Sequence, residues 1–344
     1  SRNKNAPDPV PMAGVPHHAA AKYIQTLVDS GYKVAIADQV QDPKDAKGIV
    51  RREVVRVVSP GVILDPDSLS PREHCWLAGL TVSGSSYGLS LLDVSTGDLR
   101  VTELYGVEDA IEELRRAGPS EIIIPTSISK DELLLTGLQG IPLSVVDDEQ
   151  FNVSAGHSSL SARFRVRDLS GFGCEKLGVG VGAAAAVVAY AMENSRSDLP
   201  HLLGIEVYSV AGHMVMDETT RRNLELVKSL FGGRSGSLIA HIDRTTTPMG
   251  GRLLKEWLLY PLLSKKLISV RHDAVEAFIR EVEVREATRG SLRLVSDIER
   301  IGGKLAQGTA HARDLANLKA SLFALPVVFE PLSKIVELAA FVPE

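Results

Sequence analysis

Hydrophobic and polar residues in the first sixty positions follow the pattern of one helix and two short strands. Tyr23, Leu27 and Val28 recur at helical spacing and are followed by Ser30 and Gly31, which predicts a helix that ends there. Residues 34–37 predict a short buried strand, and residues 53–58 predict a second one. This segment has too little core to stand alone, so we expect a truncated α/β domain.

The period of the pattern changes to two after a linker-like stretch at residues 65–71. Three strands are predicted, and a turn at residues 95–98 joins the last two. Helices and strands then alternate, which favours a mixed α/β domain that a helix closes. The predicted strands are residues 76–82, 88–94, 99–104, 121–124 and 141–146, the last weakened by Pro142, and the predicted helices are 107–117, 130–138 and 180–194.

The chain becomes helical from about Tyr208. Asp217 is a good N-cap, and Leu224, Val227, Leu230 and Phe231 form one face of a helix that Gly232 ends. Further helices are predicted at residues 253–259, 271–289, 293–306, 311–324 and 327–340.

These patterns predict a multidomain protein of the α/β plus all-α class. The domains are expected at residues 1–64 (truncated α/β), 65–199 (mixed α/β) and 200–344 (an incomplete helical domain). The longest apolar run, residues 179–192, is rich in Gly and Ala and predicts a tightly packed helix. No run approaches the roughly 20 residues that a membrane-spanning helix needs.

Charge is distributed unevenly around a formal net of −5. Residues 1–60 carry a net +3, residues 61–199 a net −10 and residues 200–344 a net +2. A polyanionic partner would therefore bind the two ends and be repelled by the middle, although +3 is also what an ordinary solvated surface gives. Two cysteines cannot build a disulfide framework and the first residues lack a signal-peptide pattern, so we expect a reducing, cytoplasmic setting.

Motifs for catalysis are not found in the sequence. Residues 302–304 (GGK) lack the upstream glycine and the following hydroxyl of a phosphate-binding loop, and no pair of metal-ligand motifs occurs. Asp93 and Asp98 raise the possibility of a two-metal nuclease, but a turn aspartate such as Asp98 usually serves turn chemistry. We therefore expect no enzyme activity, no metal and no cofactor in this chain.

Several long motifs, in order, resemble the MutS family of bacterial DNA mismatch-recognition ATPases. They are PMAGVPHHA at 11–19, GYKVAIADQ at 31–39, KGIVRREVVRVVSPG at 47–61, DLSGFG at 168–173, DETTRRNLEL at 217–226 and DRTTTPMGGRLL at 243–254. The resemblance spans nearly all of the chain and implies a mismatch-binding domain, a connector domain with an RNase H-like fold and a helical core domain. Asp38 stands where many relatives carry Glu.

The resemblance also implies what the longer proteins do. They bind mispaired or unpaired bases in duplex DNA, act as homodimers, use ATP or ADP with Mg, and engage a downstream mismatch-repair protein. Their Phe-x-Glu wedge motif precedes the first shared motif, and their ATPase follows the core domain. We therefore expect this chain to be a fragment without either of them. The alternative is a protein-interaction module that does not bind DNA by itself.

Candidate contact residues follow from that resemblance and from their charge. For the minor groove and the phosphates we expect Lys4, Met12, Arg51, Arg52 and Arg56. The structural alternatives are that Met12 packs against the following helix and that the arginines form a solvated strand end.

In the core domain the candidates are Arg221, Arg222 and Asn223, which we interpret mainly as structural residues that link helices by polar contacts.

Overall fold

The computed structural model describes residues 12–42, 50–63 and 68–342. The chain divides into two compact units, Ser1–Pro60 and Gly61–Glu344. Each is described by itself below.

The first unit is a helix beside a two-stranded antiparallel ribbon. A 3₁₀ turn at His17–Ala19 leads into α1 (Ala20–Asp29), and β1 (Val34–Gln39) pairs with β2 (Arg52–Val58). The predicted helix and both predicted strands are confirmed. The expectation that residues 34–37 are buried is wrong, because only alternate residues are half-buried. In the described part of this unit α1 contacts the ribbon, and no second layer covers its other face.

The second unit contains a six-stranded mixed sheet in the order β7-β6-β3-β4-β5-β8. Strands β3, β4 and β5 form an antiparallel meander, while β6, β7 and β8 each lie parallel to the neighbour that precedes them in the chain. The strands are β3 (Trp76–Ser83), β4 (Ser86–Asp93), β5 (Asp98–Tyr105), β6 (Glu121–Pro125), β7 (Leu143–Val146) and β8 (Glu206–Val207). The predicted strands and the turn at residues 95–98 are confirmed.

Helices cover both faces of this sheet, so its central strands are buried on both sides and uniformly apolar. The helices are α2 (Val107–Ala117) and α3 (Glu132–Gly137) on one face, and α4 (Val153–Phe164) and α5 (Val179–Ser195) on the other. Helices α2, α3 and α5 confirm the predictions, whereas α4 was not predicted. Helix α5 lies very close to the sheet, since a Cβ on Gly79 would stand 2.4 Å from Val187 Cγ2.

The packing of this sheet domain continues past residue 199, where we predicted a boundary. Leu199, Leu202 and Ile205 are buried in the same core as α5, and β8 adds a strand beside β5. The predicted division at 199/200 therefore falls within one packed core.

The remainder of the second unit is helical, as predicted. A small core of alanine, valine and leucine residues joins α9, α10, α12 and α13. The helices are α6 (Glu218–Asn223), α7 (Leu238–Ile242), α8 (Pro248–Leu259), α9 (Lys265–Arg280), α10 (Val282–Leu292), α11 (Ile298–Ala306), α12 (Ala312–Ser333) and α13 (Val336–Ala339).

Three predicted helix boundaries are wrong. The helix that Asp217 caps ends at Asn223, because Glu225 adopts a φ of 48° and its carbonyl accepts a hydrogen bond from Leu238 N. The predicted helix at 271–289 is two helices that meet at Glu281. The predicted break near residue 325 does not occur, since α12 continues through Pro326.

Helix α12 is long and apolar enough to cross a membrane by length and composition alone, which corrects the expectation that no segment of this kind occurs. The helix contacts α10, α11 and α13 and places Ala324, Val328 and Leu332 in the helical core. One helix of this kind is weak support for a membrane span, and we describe α12 as a helix of the core.

Candidate nucleic-acid surface and domain junction

Two of the candidate arginines lie on one exposed face of the first unit. Arg52 and Arg56 are separated by four positions on β2, so their side chains leave the same face of the ribbon, roughly 13 Å apart along the strand. Both are exposed, and neither has a carboxylate partner among the described residues. Arg51 precedes the strand, and its guanidinium donates to Glu53, which neutralises much of its charge.

The remaining candidates in this unit fall in different places. Met12 is 63% exposed, so the structure does not pack it against α1. Lys4 lies outside the described residues. The structure thus brings Arg52 and Arg56 together and leaves the relation of Met12 to them open to experiment.

The core-domain candidates divide into one buried residue and two exposed ones. Arg221 is buried on α6, where its guanidinium donates to Met216 O and lies 3.7 Å from a Glu112 carboxylate oxygen on α2. Arg222 and Asn223 are exposed. Arg221 therefore contributes a polar contact between the sheet domain and the helical region.

A buried carboxylate lies next to this contact. Glu113 of α2 accepts hydrogen bonds from Tyr208 Oη at 3.1 Å and from Tyr260 Oη, at the end of α8, at 2.8 Å. Burial raises the pKa of Glu113, although the two tyrosines and the nearby Arg116 act in the opposite direction. The cluster joins the sheet domain to α8 by groups that the sequence gave no reason to associate.

Two buried arginines of the helical region hold the segment that leads into β3. Arg252 donates to both carboxylate oxygens of Asp297 at 2.8 Å, to Glu299 at 2.6 Å and to Pro71 O at 2.8 Å. Arg300 donates to Ser70 O at 3.0 Å and Glu73 O at 2.7 Å. Because guanidinium groups present several donors in a fixed plane, each arginine ties distant parts of the chain together.

An arginine from the same segment makes the reverse contact. Arg72 donates to Asp243 at 2.6 Å and to Thr245 O at 3.0 Å, on the turn before α8. Hydrogen bonds from Thr245 and Arg72 outweigh the effect of burial and lower the pKa of Asp243. We call these contacts and those of Glu113, Arg221, Arg252 and Arg300 the domain junction.

The two aspartates considered for metal chemistry are both held by protein groups. The fully buried carboxylate of Asp93 accepts from Ser95 N at 3.0 Å and Ser95 Oγ at 2.6 Å, and it lies 2.9 Å from His74 Nδ1. Burial acts to raise its pKa, but His74, Ser95 and Arg300 outweigh burial and lower it. Asp98 forms an ion pair with Arg100 at 3.0 Å. Among the described residues, no three His, Cys, Asp or Glu side chains are grouped as metal ligands.

An apolar groove of about 880 Å³ opens between α4, α5 and residues 198–203. Its walls include Phe164, Val188 and the strongly exposed Leu203. Arg163 stands at its edge and donates to Asp198 O at 2.5 Å and Leu199 O at 2.6 Å, while its Nε has no partner among the described residues. Sequence reasoning missed this groove because α4 itself was not predicted.

Three family models match the chain in order. They are MutS domain I over residues 1–67, MutS domain II over 75–203 and MutS domain III over 219–340. Together they account for most of the chain, and the second and third correspond to the sheet domain and the helical region.

Curated relatives have the same name. The chain is 40% identical to the DNA mismatch repair protein MutS of Desulforapulum autotrophicum over 97% of its length, and 43% identical to that of Symbiobacterium thermophilum over 93%. It is 42% identical to the protein of Anaeromyxobacter dehalogenans over 94%. The chain spans 37–38% of the length of these relatives.

Proposed function

The chain belongs to the MutS family, and on that premise we propose that it is part of a protein that binds mispaired or unpaired bases in duplex DNA. The observation that carries this proposal is the exposed pair Arg52 and Arg56 on the ribbon matched by MutS domain I. Cations on one exposed face suit contacts to the phosphate backbone, which position a protein on DNA without reading sequence.

Recognition of the mismatch itself needs a group that enters the base stack. A mispaired base is poorly stacked, so a kink costs less there than at a paired site. We propose that these 344 residues lack that wedge and bind matched and mismatched duplexes equally. We also propose that they hydrolyse no ATP and hold no nucleotide or metal.

Fluorescence anisotropy with labelled duplexes tests both statements. We expect the chain to bind a matched duplex and a G·T duplex with the same affinity, and a clear preference for G·T would refute the absence of a wedge. The double variant Arg52→Gln with Arg56→Gln should weaken binding and reduce the slope of log K against log salt by about 1.8, since each phosphate contact contributes about 0.9. Arg51→Gln, whose charge Glu53 already neutralises, is the matched control.

We propose a structural role for the domain junction in the longer protein. Arg252, Arg300 and Glu113 fix the sheet domain against α8 and α11, so a displacement of one domain is passed to the other. The route follows contiguous buried contacts, and a coupling between the domains is the property to be measured.

A second candidate function is the docking of the downstream mismatch-repair protein in the apolar groove. The groove combines Leu203 and Phe164 with the arginines at its edge, within a domain whose net charge is −10. We expect Leu203→Glu to reduce the capture of this chain by the immobilised repair partner. Leu133→Glu, an exposed leucine on α3 across the sheet, should have no effect. Equal losses for both variants would exclude the groove.

A further inference from the structure

Phe231 is a fully exposed aromatic residue at the tip of a turn in the helical region. The turn is built by its own hydrogen bonds: Ser229 N donates to Gly233 O at 2.9 Å, and Ser229 Oγ donates to Gly232 O at 3.0 Å. Gly232 and Gly233 have φ of 89° and 78°, a conformation that glycine adopts without strain. The backbone of the turn therefore holds the ring away from the protein.

Cations continue from this turn across the neighbouring surface. Arg234 donates to Asp243, and Arg289 of α10 donates to the carbonyl of the adjacent Arg244 at 3.1 Å. Arg293 lies one helical turn further along α10, is exposed and has no partner among the described residues. The buried Asp243 carboxylate is already neutralised by Arg72 as well as by Arg234.

The neighbours of the ring decide which kind of partner fits. Around Phe231 the turn offers glycine, serine and Lys228, and its one other apolar side chain is the half-exposed Leu230. A protein-docking surface needs a contiguous apolar area, whereas a single ring among cations suits a ligand with a flat face and negative charge. Nucleic acid has both, but the face of a base is accessible only where the base is unpaired and unstacked.

We propose that the turn at residues 228–234, with Arg244, Arg289 and Arg293, binds an unpaired stretch of a nucleic-acid strand. Phe231 stacks on a base, and the arginines contact the phosphates that follow. This site lies in the helical region and goes beyond the proposed contact of Arg52 and Arg56 with duplex DNA.

Fluorescence anisotropy of the 344-residue chain with a labelled single strand and with the blunt duplex of the same sequence tests the proposal. We expect Phe231→Ser to weaken binding of the single strand at least about fivefold, the loss expected for one base stack. Binding of the blunt duplex should not change, and Phe231→Trp should retain the affinity for the single strand. Phe323→Ser, which removes another exposed ring on α12, is the control and should have no effect.

A charge variant checks the phosphate contacts separately. Arg293→Gln should reduce the slope of log K against log salt for the single strand by about 0.7, the value for one phosphate contact. The proposal is overturned if the chain does not bind the single strand, or if Phe231→Ser binds it as tightly as the unchanged protein. Because the Arg52 and Arg56 test uses blunt duplexes, either proposal can fail without the other.

Discussion

Helix α11 and the β4–β5 turn approach each other at Gly303, and adding one methyl group there tests how rigid the domain junction is. A Cβ at this position would stand 2.4 Å from the backbone oxygen of Ser95. Neither side is free to move, because Ser95 is bonded to the buried Asp93 and Asp297 caps the start of α11. At the adjacent Gly302, a Cβ would meet no atom within 4 Å.

The two glycines form a matched pair for measuring this contact. In both variants alanine gains roughly 1 kcal/mol of helix propensity over glycine. Only Gly303→Ala also suffers overpacking, which costs about 1–3 kcal/mol in a closely packed site. The difference between the free energies of unfolding of the two variants cancels the propensity gain, so we expect Gly303→Ala to be less stable than Gly302→Ala by about 1–3 kcal/mol.

Urea titration followed by circular dichroism and by tryptophan fluorescence measures that difference. Trp76, on β3 beside His74, lies close enough to the junction to report its opening. We expect Gly302→Ala to unfold at the same or a higher urea concentration than the unchanged protein, and Gly303→Ala at a lower one. If both variants raised the midpoint equally, the close approach of α11 to Ser95 would not limit stability, and the reasoning would be refuted.

Three further substitutions test the charges of the junction. Arg252→Met should cost about 3 kcal/mol of unfolding free energy in a urea titration, because it strands carboxylates that the buried guanidinium binds, whereas the exposed Arg280→Met should cost under about 1 kcal/mol; equal costs would contradict this. The raised pKa of Glu113 means that its contribution to stability is complete below the pKa of the unfolded chain and is lost as the pH rises through the folded value, so the stability of Glu113→Gln relative to the unchanged protein should increase between about pH 4 and about pH 7 in thermal melts. The lowered pKa of Asp93 has the opposite sign: its contribution is present above the unfolded pKa and is lost as the pH falls through the folded one. The deficit of Asp93→Asn should therefore shrink on acidification, and a deficit independent of pH would exclude the charge as its cause.

The parts of the fold that could be predicted are those in which local pattern and tertiary packing agree. The meander β3–β5 has strands with continuous apolar stretches and a turn in which Gly97 takes the positive φ that it needs. Helix α2 has acidic residues in its first turn, arginines in its last turn and Gly118 at its end. Each signal is contained within a dozen residues, so sequence reasoning could find it.

Helix α4 was missed because its own sequence has almost no helical pattern. It is rich in Ser, Gly and Ala and is stabilised from outside, by the Asn152 cap and by close packing of Gly156 against Ala185 of α5. The opposite error occurred at Pro326, where α12 continues although proline lacks the N–H that a helix interior uses. In both cases tertiary packing outweighs the local signal.

The domain junction could not be predicted for a related reason. Arg252 and Arg300 are charged residues on helices, for which an exposed position is the ordinary expectation. Their partners lie far away in sequence, as with the carbonyl of Ser70, which Arg300 binds across 230 positions. The one available signal was that Arg252 falls within the DRTTTPMGGRLL motif, which marked the segment as important without showing what the arginine binds.

The engagement of charges inside the protein explains why net charge is a poor guide to a nucleic-acid partner here. Arg72, Arg252 and Arg221 have carboxylates close by and stabilise the junction, so they contribute little to an external positive field although they count fully toward the net of −5. Arg52, Arg56 and Arg293 are exposed and have no carboxylate partner among the described residues. A polyanion is attracted by such unengaged cations, because an internal ion pair must first be broken before its arginine can bind a phosphate. The relevant quantity is therefore the number of unengaged cations on one face, and by that measure the ribbon face with Arg52 and Arg56 and the surface that begins at Phe231 are the two places where binding should be sought.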